Sequence, residues 1–171
     1  MKKDIYRPNY YYKNIFSINY KKLKEQGIKY LLFDIDNTIK DEKAKYPDTK
    51  DIELINSLKK DFTIIIVSNS YPARVHRFSN SIKCDSYYFS IKPLKRIYKK
   101  IIKKYNINAD IIAAIGDQLF TDIKGANKMN ITSILVDRIS NNETIFTKIN
   151  RIRERRYIKK YNLLERGKYD E

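Results

Sequence analysis

Tyr30-Leu31-Leu32-Phe33-Asp34-Ile35-Asp36-Asn37-Thr38 is the stretch that decides the fold. Its first four residues form an apolar run without polar alternation, as expected of a strand covered on both faces, and the run stops at two acids one residue apart. Short runs of the same kind recur at residues 63–67, 111–115 and 133–136, with a shorter one at 87–89. Between them Leu94, Ile97, Tyr98, Ile101, Ile102 and Tyr105 follow the spacing that lines one face of a helix. Weaker helical patterns fit residues 50–60, 73–81 and 121–129. Strands alternating with helices predict an α/β fold with a Rossmann-like, doubly wound parallel sheet, whose ligands sit beyond the carboxyl ends of the strands.

Those ends carry chemistry. Asp34, Asp36 and Thr38 follow the first run, and Ser68-Asn69-Ser70 the second. Lys92-Pro93 precedes the long helix, and Gly116-Asp117, with Asp122 close behind, follows the 111–115 run. Several carboxylates in one crevice repel one another, and a divalent cation is the usual remedy; oxygen-only ligands suggest Mg²⁺. Asp34 and Asp36, two apart on an extended chain, point to one side, so one can attack an electrophile while the other handles the proton. Lys92 and the Ser68 hydroxyl would hold the oxygens of a transferring phosphoryl group. Two positions leave an alternative open: Ser68 could cap the helix that follows, and Lys95 could stand in for Lys92.

The ordered set resembles the haloacid dehalogenase (HAD) superfamily, with residues 33–38, Ser68-Asn69, Lys92-Pro93 and Gly116-Asp117 with Asp122 matching its four motifs. The flanks, at residues 27–29, 116–123 and 146–151, resemble the YqeG-type HAD class IIIA phosphatases over about residues 8–166. The resemblance implies Asp34 as nucleophile, Asp36 as general acid/base, and Thr38, Ser68, Asn69 and Lys92 as phosphate-binding residues. It also implies Mg²⁺ on the Asp34 carboxylate, the Asp36 backbone carbonyl and Asp117, with Asp122 beside the metal or an occasional ligand. Relatives in that group include phosphatidylglycerophosphate phosphatases, which makes a phospholipid head group the expected substrate. The intervals from Asp34 to Ser68 and from Ser68 to Lys92 are filled by Rossmann-like elements, so no cap domain is expected, and an open crevice suits a phosphate on something too large to enclose.

Composition bounds the rest. The 171 residues suit one domain, with a core at about 28–137 and basic helical extensions at 1–27 and 138–171. No apolar run reaches the roughly 20 residues of a membrane span, and the N-terminus lacks a signal-peptide core, so a cytoplasmic protein is expected. One cysteine, Cys84, and one histidine, His76, exclude a disulfide framework and a Cys/His metal cluster. Lys and Arg outnumber Asp and Glu 36 to 20, a net +16 concentrated at the two ends. From Ile145 on, Phe146, Ile149, Ile152, Tyr157, Leu163 and Leu164 can form an apolar stripe among Lys148, Arg151, Arg153, Arg155, Arg156, Lys159 and Lys160. Three readings of this helix compete: docking on the inner face of an anionic membrane, binding of RNA or a ribosomal partner on a HAD scaffold, and packing on the protein's own core. A phosphatase for a phosphoprotein or a nucleic-acid end is the enzymatic alternative. The sequence does not define an oligomeric state.

Overall fold

The structure, a computed structural model, describes residues 4–140, 145–161, 169 and 170. Strands β1 (Tyr10–Tyr12), β2 (Tyr30–Phe33), β3 (Thr63–Val67), β4 (Asp85–Tyr87), β5 (Ile112–Gly116) and β6 (Thr132–Val136) form one all-parallel sheet in the order β1-β6-β5-β2-β3-β4. β2 lies between β3 and β5, with Phe33 opposite Ile66 on one side and Ile115 on the other. Asp34 therefore leaves the sheet near its centre, where the strand order reverses direction, the place at which open α/β sheets bind ligands.

Among the described residues six α-helices accompany the sheet: α1 (Tyr20–Glu25), α2 (Thr49–Leu58), α3 (Pro72–Ile82), α4 (Lys95–Tyr105), α5 (Lys124–Asn127) and α6 (Ile145–Tyr161). Ile55, Leu58, Val75 and Phe78 of α2 and α3 join Leu31, Phe33, Ile64 and Ile66 in the larger apolar cluster. Ile97, Tyr98 and Ile101 of α4 pack with Leu32, Ile65 and Val67 in a second. Successive residues of β2 and β3 thus feed opposite layers, which is why both runs are continuously apolar. Local chemistry sets the helix ends. Asp48 and Asp51 form a reciprocal capping box at the start of α2, Pro72 opens α3, and Lys83 and Asn106 close α3 and α4 in the left-handed conformation.

Three details differ from the sequence expectations. The short strand covers 85–87 rather than 87–89, because Phe89 has φ 42° and its amide bonds the Ser70 carbonyl. The N-terminal segment is not purely helical: Tyr10–Tyr12 adds a sixth strand beside β6. In α6 the expected apolar stripe is split: Tyr157 packs against the cluster of Leu119, Ile123 and Leu135, and the side chains of Ile145 and Phe146 lie outside the described ones. Ile149 and Ile152 are exposed while Arg151 and Glu154 are buried. Leu163 and Leu164 lie outside the described residues.

Candidate active site

The carboxyl ends of β2, β3 and β5 bring the expected residues to one cavity of about 470 Å³, lined by Asp34, Asp36, Ser68, Asn69 and Lys92 among others. No cap domain covers it, since the chain between the motifs is used up by α2, α3 and β4. At its floor the buried Lys92 ammonium lies 2.7 Å from Asp34 Oδ1 and 2.6 Å from Asp122 Oδ1, and donates to the Val67 carbonyl at 2.8 Å. Lys95, the alternative cation, is exposed at the start of α4. Asn69 sets the lysine's position: its Oδ1 accepts from the Lys92 amide at 2.8 Å and its Nδ2 donates to the Lys92 carbonyl at 3.4 Å. Ser68, fully buried, accepts from the Ser70 amide at its Oγ, while the cap position of α3 is Tyr71.

Asp36 is held differently. Ser70 Oγ donates to its Oδ2 and Arg74 Nε to its Oδ1, both at 2.6 Å. Arg74, buried on α3, also donates to the carbonyls of Ala44 and Asp41 at 2.5 and 2.9 Å, and so ties the loop after β2 to the Asp36 carboxylate. Ser70 stands in the strand-end triplet that the sequence marks, though without a role there; nothing in the spacing marks Arg74.

Asp117 and Asp122 complete the cluster. Oxygens of Asp34, Asp117 and Asp122 lie within 4.8 Å of one another, and all three residues are buried. Thr38 Oγ1 donates to Asp117 Oδ1 at 3.3 Å, so its hydroxyl serves this carboxylate. Gly116 admits Asp122, since a Cβ there would fall 2.2 Å from the Asp122 Cγ. Arg151 of α6 grips Asp117 twice, through the carboxylate Oδ2 and, at 2.6 Å, through the backbone carbonyl. Glu154 in turn accepts from Arg151 Nη1 at 3.1 Å and from the Phe120 amide at 3.1 Å. Neighbouring Asn150 lines the cavity. Arg151 was read as part of a basic stripe; the flank containing it, residues 146–151, was the available signal.

Burial, the largest effect on each, holds the Asp34 carboxyl well above the usual carboxylate range and pushes Asp117 up to about 7. Lys92 opposes the rise at Asp34, and Arg151 that at Asp117. Lys92 itself is held above the ordinary lysine value: burial disfavours its charge, but Asp122 and Asp34 outweigh burial. The ion-paired groups comprise five carboxylates (Asp34, Asp36, Asp117, Asp122, Glu154) against three cations (Lys92, Arg74, Arg151). The formal excess of negative charge, to which the cavity-lining Glu42 adds, sits on hard oxygen donors and fits a divalent cation of the Mg²⁺ type. A larger cavity near Cys84, of about 760 Å³, lies at the opposite end of the strands and contains none of these groups.

This arrangement of acids and a buried lysine defines a phosphatase of the HAD superfamily, and comparison with known proteins agrees. A family model described as HAD-hydrolase-like matches residues 91–151. The Bacillus subtilis (strain 168) protein named probable phosphatase YqeG is 31% identical over 159 residues, covering 92% of both chains. The chain belongs to the YqeG-like family of HAD-superfamily phosphatases. Solved structures share the fold. A HAD-like family hydrolase from Porphyromonas gingivalis superposes with TM-score 0.54 at 14% identity, covering 73% of this chain and 98% of that one. The D,D-heptose 1,7-bisphosphate phosphatase of B. bronchiseptica, complexed with magnesium and phosphate, gives 0.50 at 19% identity over 63% and 80% of the two chains.

Proposed function

We propose that the protein hydrolyses the phosphomonoester of a phospholipid head group, with phosphatidylglycerophosphate as substrate, through an aspartyl-phosphate on Asp34. One observation carries the mechanism: the buried Lys92 ammonium 2.7 Å from the Asp34 carboxylate, at the floor of an open cavity that Asp36 also lines. An Asp34 oxygen attacks phosphorus in line, the bond to the leaving oxygen breaks, and Asp36 delivers a proton to that oxygen. Asp36 then takes a proton from water as the water attacks phosphorus, and the bond to Asp34 breaks to release inorganic phosphate. Lys92 and the buried Ser68 offset and hold the charge on the equatorial oxygens.

Mg²⁺ is the cation this donor set favours. It would be held by Asp34 and Asp117, with Asp122 beside it, and would supply charge neutralisation for the phosphoryl oxygens. The magnesium of the B. bronchiseptica enzyme supports that choice. The lipid is supported by the uncovered cavity, which accepts a phosphate projecting from a large body. The test is phosphate release from phosphatidylglycerophosphate in mixed micelles beside a soluble aryl phosphate. Strong preference for the lipid is the expected result; turnover of the aryl ester alone would discard the lipid and send the search to phosphoproteins or nucleic-acid ends.

A further inference from the structure

Two segments that contribute to the cavity, the one that carries Lys92 and the one that carries Asn150, each combine exposed apolar side chains with cations, and form its two rims. On one side the segment from β4 to α4 exposes Tyr88, Phe89, Ile91 and Leu94 at 45–60%. This rim adjoins the site. Phe89 donates its amide to the carbonyl of Ser70, whose hydroxyl holds Asp36, and Lys92 sits within the same segment. On the other side α6 exposes Ile149 and Ile152, flanking Asn150 of the cavity wall and the buried Arg151.

Cations stand beside each rim. Lys95 and Arg96 open α4 directly after Leu94, and Lys148 and Arg153 bracket the exposed isoleucines of α6. All four are exposed, and Lys95, Arg96 and Lys148 pair with no carboxylate among the described residues. The apolar positions of the first rim are not favourable local choices either. Phe89 and Ile91 have φ of 42° and 51°, a region that Asn and Gly occupy readily and β-branched residues rarely. The chain thus keeps two large apolar side chains pointing into solvent on a backbone better suited to polar ones.

We infer that the two rims form a docking surface for an anionic lipid bilayer, with the side chains of Phe89, Ile91, Leu94, Ile149 and Ile152 entering the interface and the flanking cations meeting the head groups. The inference rests on the phospholipid reading of the site and gives it a geometry: the membrane seats around the mouth so that a head-group phosphate reaches Asp34 without leaving the leaflet. RNA would use the cations and the tyrosines but would gain nothing from four exposed aliphatic side chains. A bilayer uses both, and the protein's net charge of +16 complements an anionic one.

The test is co-sedimentation of the full chain with vesicles of phosphatidylcholine alone or of phosphatidylcholine with phosphatidylglycerol, with turnover of a soluble aryl phosphate followed in parallel. Wild type is expected to bind the anionic vesicles and to release them in high salt. The double substitution Phe89→Asn with Ile91→Asn suits the left-handed backbone, so the fold is retained while vesicle affinity drops by roughly tenfold. Aryl-phosphate turnover stays at the wild-type level in that variant. Lys95→Glu with Arg96→Glu should weaken binding to anionic vesicles and reduce its dependence on salt. No vesicle binding by wild type, unchanged binding by the folded double variant, or preference for single-stranded RNA over anionic vesicles would overturn the surface. Vesicle binding without hydrolysis of phosphatidylglycerophosphate would keep the surface and remove the substrate instead.

Discussion

Arg151, on the last helix of the described chain, donates to both the carboxylate and the backbone carbonyl of Asp117, at the end of β5. The two contacts fix the carboxylate's rotation and the peptide that carries it. Glu154 holds the guanidinium from behind. An acid proposed to ligate a cation is therefore oriented by a helix outside the Rossmann-like core.

Replacement of Arg151 by Gln should weaken Mg²⁺ binding by about 10- to 100-fold, the usual effect of losing a group that orients a ligand. Isothermal titration with Mg²⁺ measures this without reference to turnover. Because the substitution leaves Asp117 and Glu154 buried without their cation, it should also destabilise the fold by about 3–5 kcal/mol. Arg151→Leu with Glu154→Leu should recover much of that stability but none of the Mg²⁺ affinity; recovery of both would contradict an orienting role.

Asp34→Asn should lower phosphate release by about 10³-fold or more, since the amide cannot form the acyl-phosphate. The thermal midpoint should be unchanged or higher, because burial already disfavours the charged carboxylate. Lys92 keeps Asp122 as a partner in this variant. Full activity would refute the covalent route.

Arg74→Gln should raise amide hydrogen exchange at residues 41–46 and lower kcat by about 10- to 100-fold, as Asp36 loses one of its two side-chain anchors. The exchange result separates loop release from general unfolding: residues 63–67 of β3 should remain protected.

Metal-free protein should lose stability as pH rises from about 4 to about 7. Asp117 is pushed up to about 7 from the ordinary 3.8 by burial, and Asp34, Asp51 and Glu154 are also raised, burial being the largest effect in each. In that window the folded state binds more protons than the unfolded one, so the slope of stability against pH is negative. Mg²⁺ binds the deprotonated carboxylates, so the rise in melting temperature on adding it should be larger at pH 8 than at pH 5.5. Thermal melts with and without Mg²⁺ check this; an equal rise at both pH values would count against a cation at the acidic cluster.

The sheet's interior was legible because β2, β3, β5 and β6 are buried on both faces and so read as continuous apolar runs ending on functional residues. The edge strand β1 was not, since Tyr10, Tyr11 and Tyr12 carry no alternation and are buried to unequal degrees. At the site, Asp34, Asp36, Ser68, Asn69 and Lys92 line one cavity, with Asp117 and Asp122 clustered beside Asp34, but several of the named residues act through one another: Asn69 on the Lys92 backbone and Thr38 on Asp117. Arg74 and Arg151 were hidden by their type. An arginine in a basic chain reads as surface charge until its burial against a carboxylate is seen.

The contact between α6 and Asp117 also orders events during biosynthesis. All four motifs precede Arg151 in the chain, so a growing chain can pair β2, β3 and β5 while Asp117 still lacks its guanidinium and the cavity still lacks the wall that Asn150 supplies. Such a chain has the proposed nucleophile but an Asp117 carboxylate that nothing yet orients. On the proposed mechanism the site is complete only once α6 has docked against the core.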